Sequence, residues 1–327
     1  MVAVLSAPET ARVDLARAVR DRGALVLRDA ARDVDGFALL AARMGSVRQD
    51  IACSAGPRAR VRDGVFTANE APPDQYICIH HEMAQCEHPP EFVLFYCDTP
   101  PADGGCTPCM RSSAVCADLH RRFPRVFERL RAEGVRYRRV FPSHTDDTSA
   151  LGKSWRERFL SESKDAVERA CTAEGARCEW LADGSLRTTG PIVYPIVAAP
   201  NGDGPLLFVA AESSFGGGGR RATTAVKEIV HADGRPLEAE VLHALVEVAE
   251  RARRDSDRFA WQRGDVLAIH NGSVMHSRDA FDPPRRILVC LVGTMANPTM
   301  RDARHERFDH FDPGRSNSER SGVSSST

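Results

Sequence analysis

His80 and Glu82 stand one residue apart in the run Ile79-His80-His81-Glu82-Met83. An imidazole and a carboxylate at that separation suit a divalent transition metal, because side chains two residues apart share one face of an extended strand. Alone the pattern is weak. With 11 His and 45 acidic residues in 327 positions, chance supplies about 1.5 His-x-acid matches. The chain has four: His80-x-Glu82, His144-x-Asp146, His231-x-Asp233 and His310-x-Asp312.

The flanking sequence separates them. His231-Ala-Asp-Gly234 reads as a turn, since Asp-Gly favours positive φ. His144 lies among turn-forming residues and is expected on a surface or lid loop, while His310 falls in a polar tail. Only His80 is followed by an apolar run, Phe92-Val-Leu-Phe-Tyr-Cys97, and then by Gly104-Gly105-Cys106-Thr107-Pro108. Far downstream come His270-Asn271 through His276, and Pro284-Arg285-Arg286-Ile287. Two His and one carboxylate on one face of an octahedron leave three positions open, and a second His from a distant strand would close such a site. Arginine grips a carboxylate through a planar two-pronged contact that lysine does not reproduce.

The elements that must hold these groups are short. Residues 8–22 read as a helix ended by Gly23, Ala24 to Arg28 as a strand, and Asp35 to Met44 as a helix stopped by Gly45. Residues 46–75 lack periodicity and read as a long loop. His80 to Cys97 is β-like, Ser113 to Glu133 helical with a break at Pro124, and Tyr137 to Phe141 a strand. Ser154 caps a helix expected to run to Gly175. Short strands with turns at Asp183-Gly184 and Asn201-Gly202 fill Cys178 to Val209. Gly216 to Gly219 lacks the residues of a phosphate-binding loop. Leu237 to Arg254 is an amphipathic helix, followed by strands over Phe259 to Ile269 and Arg286 to Val292. Many short strands, few helices and no βαβ rhythm indicate an α+β, mostly β, barrel-type fold. The Arg-rich segments 58–62, 121–139 and 251–258 read as solvated faces.

Composition narrows the classes. A formal charge of −1 gives no global field for nucleic acid or anionic lipid. No apolar run is long enough to span a membrane, and the N-terminus lacks a basic leader, so a cytoplasmic protein is expected. Of ten cysteines, seven fall between Cys53 and Cys116. They are expected to be reduced thiols rather than disulfides. Cys106-Thr-Pro-Cys109 has no second CxxC to complete a zinc site, although a non-catalytic zinc- or ligand-binding barrel is the competing reading.

The ordered blocks carry a resemblance. They are His80-His-Glu-Met83, Phe95-Tyr-Cys97, Gly104-Gly-Cys-Thr-Pro108, Ser154-Trp155 with Phe159, and Glu179-Trp180 with Asp183-Gly-Ser-Leu186. Trp261-Gln-Arg-Gly-Asp-Val-Leu267, then His270-Asn271 through His276-Ser-Arg278, Phe281 and Pro284-Arg-Arg286 complete the set. From about residue 20 to 297 the chain resembles the TauD/TfdA-like iron(II)/2-oxoglutarate dioxygenases, and among them the SyrP-like branch. The resemblance implies a double-stranded β-helix (jelly roll) with peripheral helices, in a single domain over 1–311 followed by a disordered Ser-rich tail, 312–327. It implies iron held by His80, Glu82 and His276. It implies that Thr107 and Arg286, with Arg285 as the alternative, hold the distal carboxylate of 2-oxoglutarate. His81 should face away from the metal, His270 should be structural, and Asn271 reads as a turn residue. The implied reaction is hydroxylation of an unactivated C–H in an amino acid or amino-acid-derived substrate of specialised metabolism, free or on a carrier protein. Desaturation or cyclisation is the alternative outcome. Phe208 to Glu212 departs from the branch and marks a changed substrate pocket.

Overall fold

The computed structural model describes residues 2–49, 58–68, 72–146, 152–199, 204–209, 227–296 and 298–300. Strand β1 (Ala3–Leu5) leads into α1 (Ala7–Arg12), where Glu9 accepts from the Ser6 backbone N–H at 2.8 Å. The helix expected over 8–22 is two helices. Asp14 interrupts it and caps α2 (Leu15–Arg22) by accepting from Arg17 N, and Gly23 ends α2 with φ +83°. β2 (Ala24–Leu27) and the Asp33-capped α3 (Val34–Ala42) follow.

The 46–75 stretch is not wholly loop: β3 (Arg60–Arg62) and β4 (Val65–Thr67) form a hairpin turned at Gly64. Three-residue strands carry too few alternations to show in the sequence. β5 (Ile77–His80) ends at the first histidine, and the apolar run forms β6 (Phe92–Thr99). β7 (Asp103–Gly104) and β8 (Cys109–Arg111) precede α4 (Ser112–Arg122) and α5 (Pro124–Glu133), with Pro124 opening the second helix.

After β9 (Val135–Phe141), the helix expected from Ser154 to Gly175 divides into α6 (Trp155–Phe159) and α7 (Lys164–Ala173). Leu160 turns left-handed at φ +49°, and Ser163 caps afresh. β10 (Arg177–Trp180), β11 (Leu186–Thr189), β12 (Ile196–Ala198), β13 (Pro205–Leu207) and β14 (Lys227–His231) come next. The chain then runs through α8 (Ala239–Asp255), β15 (Val266–His270), β16 (Val274–Arg278), β17 (Phe281–Asp282) and β18 (Arg286–Val292). Gly216 to Gly219, His310 and the Ser-rich tail lie outside the described residues.

The strands make a mixed, mostly antiparallel assembly. The largest sheet has the order β1-β2-β15-β6-β18-β4-β3, and a three-stranded sheet has the order β5-β16-β8. A shared apolar layer lies between them. Val26, Val93, Phe95, Leu267, Val289 and Leu291 from the large sheet meet Cys109 and Val274 from the small one. The other face of the large sheet, through Leu25, Leu94, Tyr96, Leu288 and Cys290, packs on Leu15, Val19, Phe37 and Leu40 of α2 and α3. That double burial explains why β6 and β18 are apolar at nearly every position rather than alternating. α4, α5 and α8 cover the outside of the small sheet through Leu119, Phe127, Val241 and Val248. The fold is therefore α+β with a mostly β core, two sheets face to face and helices outside, as the resemblance implied. A four-stranded sheet, β10-β11-β9-β14, forms a satellite with its own cluster around Phe141, Trp155 and Leu186.

Candidate active site

β5 and β16 pair antiparallel with His80 directly across from His276. Their rings lie 4.4 Å apart, centroid to centroid, tilted by 48°. Along β16, Val274 and His276 point into the layer between the sheets while Met275 points to the helices, which is the two-residue alternation of a strand. The His80 Nδ1 lies 2.8 Å from the Cys78 carbonyl. A carbonyl only accepts, so Nδ1 carries the proton and Nε2 is left as the ligating nitrogen.

Glu82 reaches the same place by a different route from the one its spacing suggests. β5 stops at His80, and Glu82 sits in a turn that continues through Met83 at φ +56°. Its position is held from 189 residues away. The fully buried Asn271 accepts from Glu82 N at 2.8 Å, donates to Glu82 O at 2.9 Å and donates to Pro90 O at 3.0 Å. Asn271 lies in the turn after β15, as the sequence suggests. Its amide in addition closes the loop that carries the carboxylate. Glu82 Oε2 lies 3.9 Å from His276 Nε2. The donor atoms of His80, Glu82 and His276 all fall within 4.8 Å of one another, every one of them buried, and no other such group of three occurs among the described residues.

His81 turns away. It is fully buried, its Nε2 2.6 Å from Ser112 Oγ, and its ring stacks on Phe208 at 4.3 Å. Burial, reinforced by the neighbouring His80, pushes its pKa down to about 3, so it stays neutral. His270 pairs with Ser273 Oγ at 2.8 Å and leans on Phe92, a structural role. His144 lies exposed in its loop. His231 begins the expected turn, yet its side chain is buried and lies 2.7 Å from a Glu238 oxygen.

A cavity of about 430 Å³ opens on the three donors and is lined also by Thr107, Arg285, Arg278, Arg58 and Phe95. Of the arginine pair, the structure puts Arg285 in the cavity and Arg286 outside. Arg285 donates from Nε to Gly105 O at 3.2 Å, and burial, with Arg278 nearby, lowers its pKa to about 10, still charged at neutral pH. Arg286 is 47% exposed and paired with Asp98 at 2.7 Å. Side-chain parity explains the exchange. Ile287 and Val289 face the layer between the sheets, Leu288 and Cys290 the helices, so Arg285 shares the inward set and Arg286 does not. That alternation was readable in the sequence. Arg58 was missed for a different reason: it stands in a segment taken for a solvated face, yet its side chain is 5% exposed. Arg139, from another such segment, is buried too.

Among the described residues, the cysteines form no metal site with these groups. The nine described cysteines are free thiols, and burial pushes Cys97 and Cys109 up to about 12, so both stay protonated at neutral pH.

A family profile described as taurine catabolism dioxygenase TauD, TfdA family matches residues 3–291. The chain belongs to that family. A clavaminate synthase-like protein of Arabidopsis thaliana is 36% identical over 237 residues, covering 72% of this chain and 71% of the relative. Dapdiamide synthesis protein DdaC of Enterobacter agglomerans is 29% identical over 247 residues, with 72% and 71% covered. Among solved structures, AAD-2 in complex with Mn(II) and N-oxalylglycine superposes with a TM-score of 0.52 at 14% identity, covering 91% of this chain and 96% of that one. PvcB of Pseudomonas aeruginosa gives 0.50 at 16% identity, covering 88% and 83%. At those identities the likeness is one of fold. As a TauD-family dioxygenase the chain is an enzyme that works with iron(II) and 2-oxoglutarate, and the buried His-Glu-His donor set beside Thr107 and a buried guanidinium fits both. Among the described residues, no helix is long and apolar enough to cross a membrane.

Proposed function

We propose that this enzyme hydroxylates an unactivated C–H of an amino acid or amino-acid-derived substrate. His80, Glu82 and His276 hold the iron, and Arg285 with Thr107 holds the distal carboxylate of 2-oxoglutarate. One observation supports the reading: the clustered side chains of His80, Glu82 and His276 and the Arg285 guanidinium converge on a single cavity. Iron(II) with 2-oxoglutarate and O2 supplies the oxidation, releasing succinate and CO2. The chain contributes orientation and dryness. Asn271 fixes the Glu82 backbone, the Cys78 carbonyl sets the His80 tautomer, and Phe95, 5.2 Å from the His276 ring, walls the site from the core. Glu82 provides a third protein ligand, which disfavours halogenation. Similarity to a dapdiamide synthesis protein supports a substrate related to amino acids.

Anaerobic titration of the apoprotein with Fe(II) and then 2-oxoglutarate tests the reading through the weak visible charge-transfer band of the chelate. Wild type gives the band. Arg285→Ala weakens 2-oxoglutarate binding by about thirtyfold, the loss of a charge-assisted pair, and Arg286→Ala binds as wild type does. Bound iron with no band removes the oxygenase reading, and an unaffected Arg285→Ala removes the carboxylate assignment.

A further inference from the structure

Arg58 shares the cavity with the metal donors, yet neither metal nor 2-oxoglutarate needs it. Its Nη2 lies 3.1 Å from each Glu82 oxygen. Its Nε and Nη1 are buried with no hydrogen-bond partner among the described residues. Buried donors left unmet are costly, and the strongest acceptor for a charged guanidinium N–H is an anionic oxygen such as a carboxylate's.

Charge points the same way. Among the described residues, the cavity sets three guanidiniums, Arg58, Arg278 and Arg285, against one carboxylate, Glu82. A divalent cation and a dianionic co-substrate carry equal and opposite charge and leave that balance unchanged. Glu82 is shared with Arg58 and Asp74 lies within electrostatic reach of Arg278, so the described groups still sum to one positive charge in excess. Lys153 feels the positive fields of Arg158, Arg139 and Arg58 against Glu157. The turn after the metal ligand is a shared wall: Glu82 lines the first cavity, while Gln85, Cys86 and Glu87 line a second of about 790 Å³ with Arg139, Arg158 and Glu174.

We propose that Arg58 receives a free carboxylate of the substrate, so that the enzyme acts on a soluble acid and not on one tethered to a carrier through that carboxyl. The inference rests on the oxygenase reading. A thioester linkage removes the negative charge that Arg58 is placed to meet.

The experiment titrates propionate, benzoate and L-leucine, each against its primary amide, into the anaerobic Fe(II)·2-oxoglutarate protein. Binding is read by the shift of the visible band and, independently, by calorimetry. Acids should bind about thirtyfold more tightly than their amides, the size expected for a charge-assisted hydrogen bond. Arg58→Gln should abolish that preference while keeping the 2-oxoglutarate band, and Arg58→Lys should keep part of it. Silent acids, equal binding of amides, or an Arg58→Gln protein with wild-type preference overturns the proposal. So does loss of the 2-oxoglutarate band in Arg58→Gln, which would make Arg58 a holder of Glu82. A wild type without the band condemns the oxygenase reading instead, and calorimetry then still decides whether Arg58 binds carboxylates.

Discussion

Asn271 shows how one neutral side chain can govern a charged one. It touches no metal donor atom, yet its three hydrogen bonds fix the backbone of Glu82 and of Pro90. Asn271→Asp keeps the shape, replaces two donated bonds by repulsion, and sets a negative charge against the Glu82 and Pro90 carbonyls. We expect Fe(II) affinity to fall by about tenfold or more, the usual loss when a group orienting a ligand is removed. Competition with a metal-sensitive dye measures it, and unchanged affinity would refute the positioning role. Lys153 makes a second prediction. Burial, with Arg158 and Arg139 close by, lowers its pKa from 10.5 to about 8. Because the folded value is depressed, this group's contribution to stability is fully present above pH 10.5 and is lost as pH falls through about 8. Competitive acetylation across pH should give a midpoint near 8 for Lys153, and a midpoint at the ordinary lysine value would refute its burial beside Arg158 and Arg139.

The short elements hold the site through close backbone approaches. Gly104 pairs with Phe281 where β7 meets β17, at φ +68°, and a Cβ there would lie 2.4 Å from the Ala280 carbonyl. Gly105, at φ +62°, accepts the Arg285 Nε bond and is crowded by the Arg285 side chain. This Gly-Gly turn therefore positions Thr107 and Arg285 together. Gly104→Ala has both a strained φ and a clash with backbone, so it should destabilise the fold by about 1–3 kcal/mol. It should also weaken 2-oxoglutarate binding, because the turn must shift. Urea unfolding and the chelate band report the two effects; a variant as stable as wild type would show that the turn is not constrained in this way.

Across the molecule, stability and ligand binding are linked, since the donors come together only on folding. Three chain regions far apart in sequence, at 80–82, 107 and 276–285, line one cavity. The unfolded chain has no such site, so ligand at a hundredfold excess over its Kd adds about 2.7 kcal/mol of stability. Fe(II) with 2-oxoglutarate should raise the melting temperature, and a chelator should return it to the apoprotein value. A His276→Ala protein should lose most of the metal-dependent increment; a melting temperature indifferent to metal in wild type would contradict the assignment of the three donors.

Most of the frame was readable from periodicity. β6 and β18 announce themselves as apolar runs because both faces of the large sheet are covered, and α8 shows its buried stripe at Val241, Leu245 and Val248. His80 stood out from three look-alikes by its context, whereas the arginine pair was read with Arg286 first and Arg285 as the alternative, and the cavity receives Arg285. The breaks near Asp14 and Leu160 do have a local signal, the caps at Asp14 and Ser163, which the apolar periodicity alone masks. Other features had none. Glu82 owes its place to Asn271, and Arg58 became a cavity residue because the hairpin after it joins the large sheet at β18. Residue type and spacing record what a segment prefers by itself. Burial of a charge, and the partner that makes it tolerable, depend on which distant strands meet, and only the assembled sheets settle that.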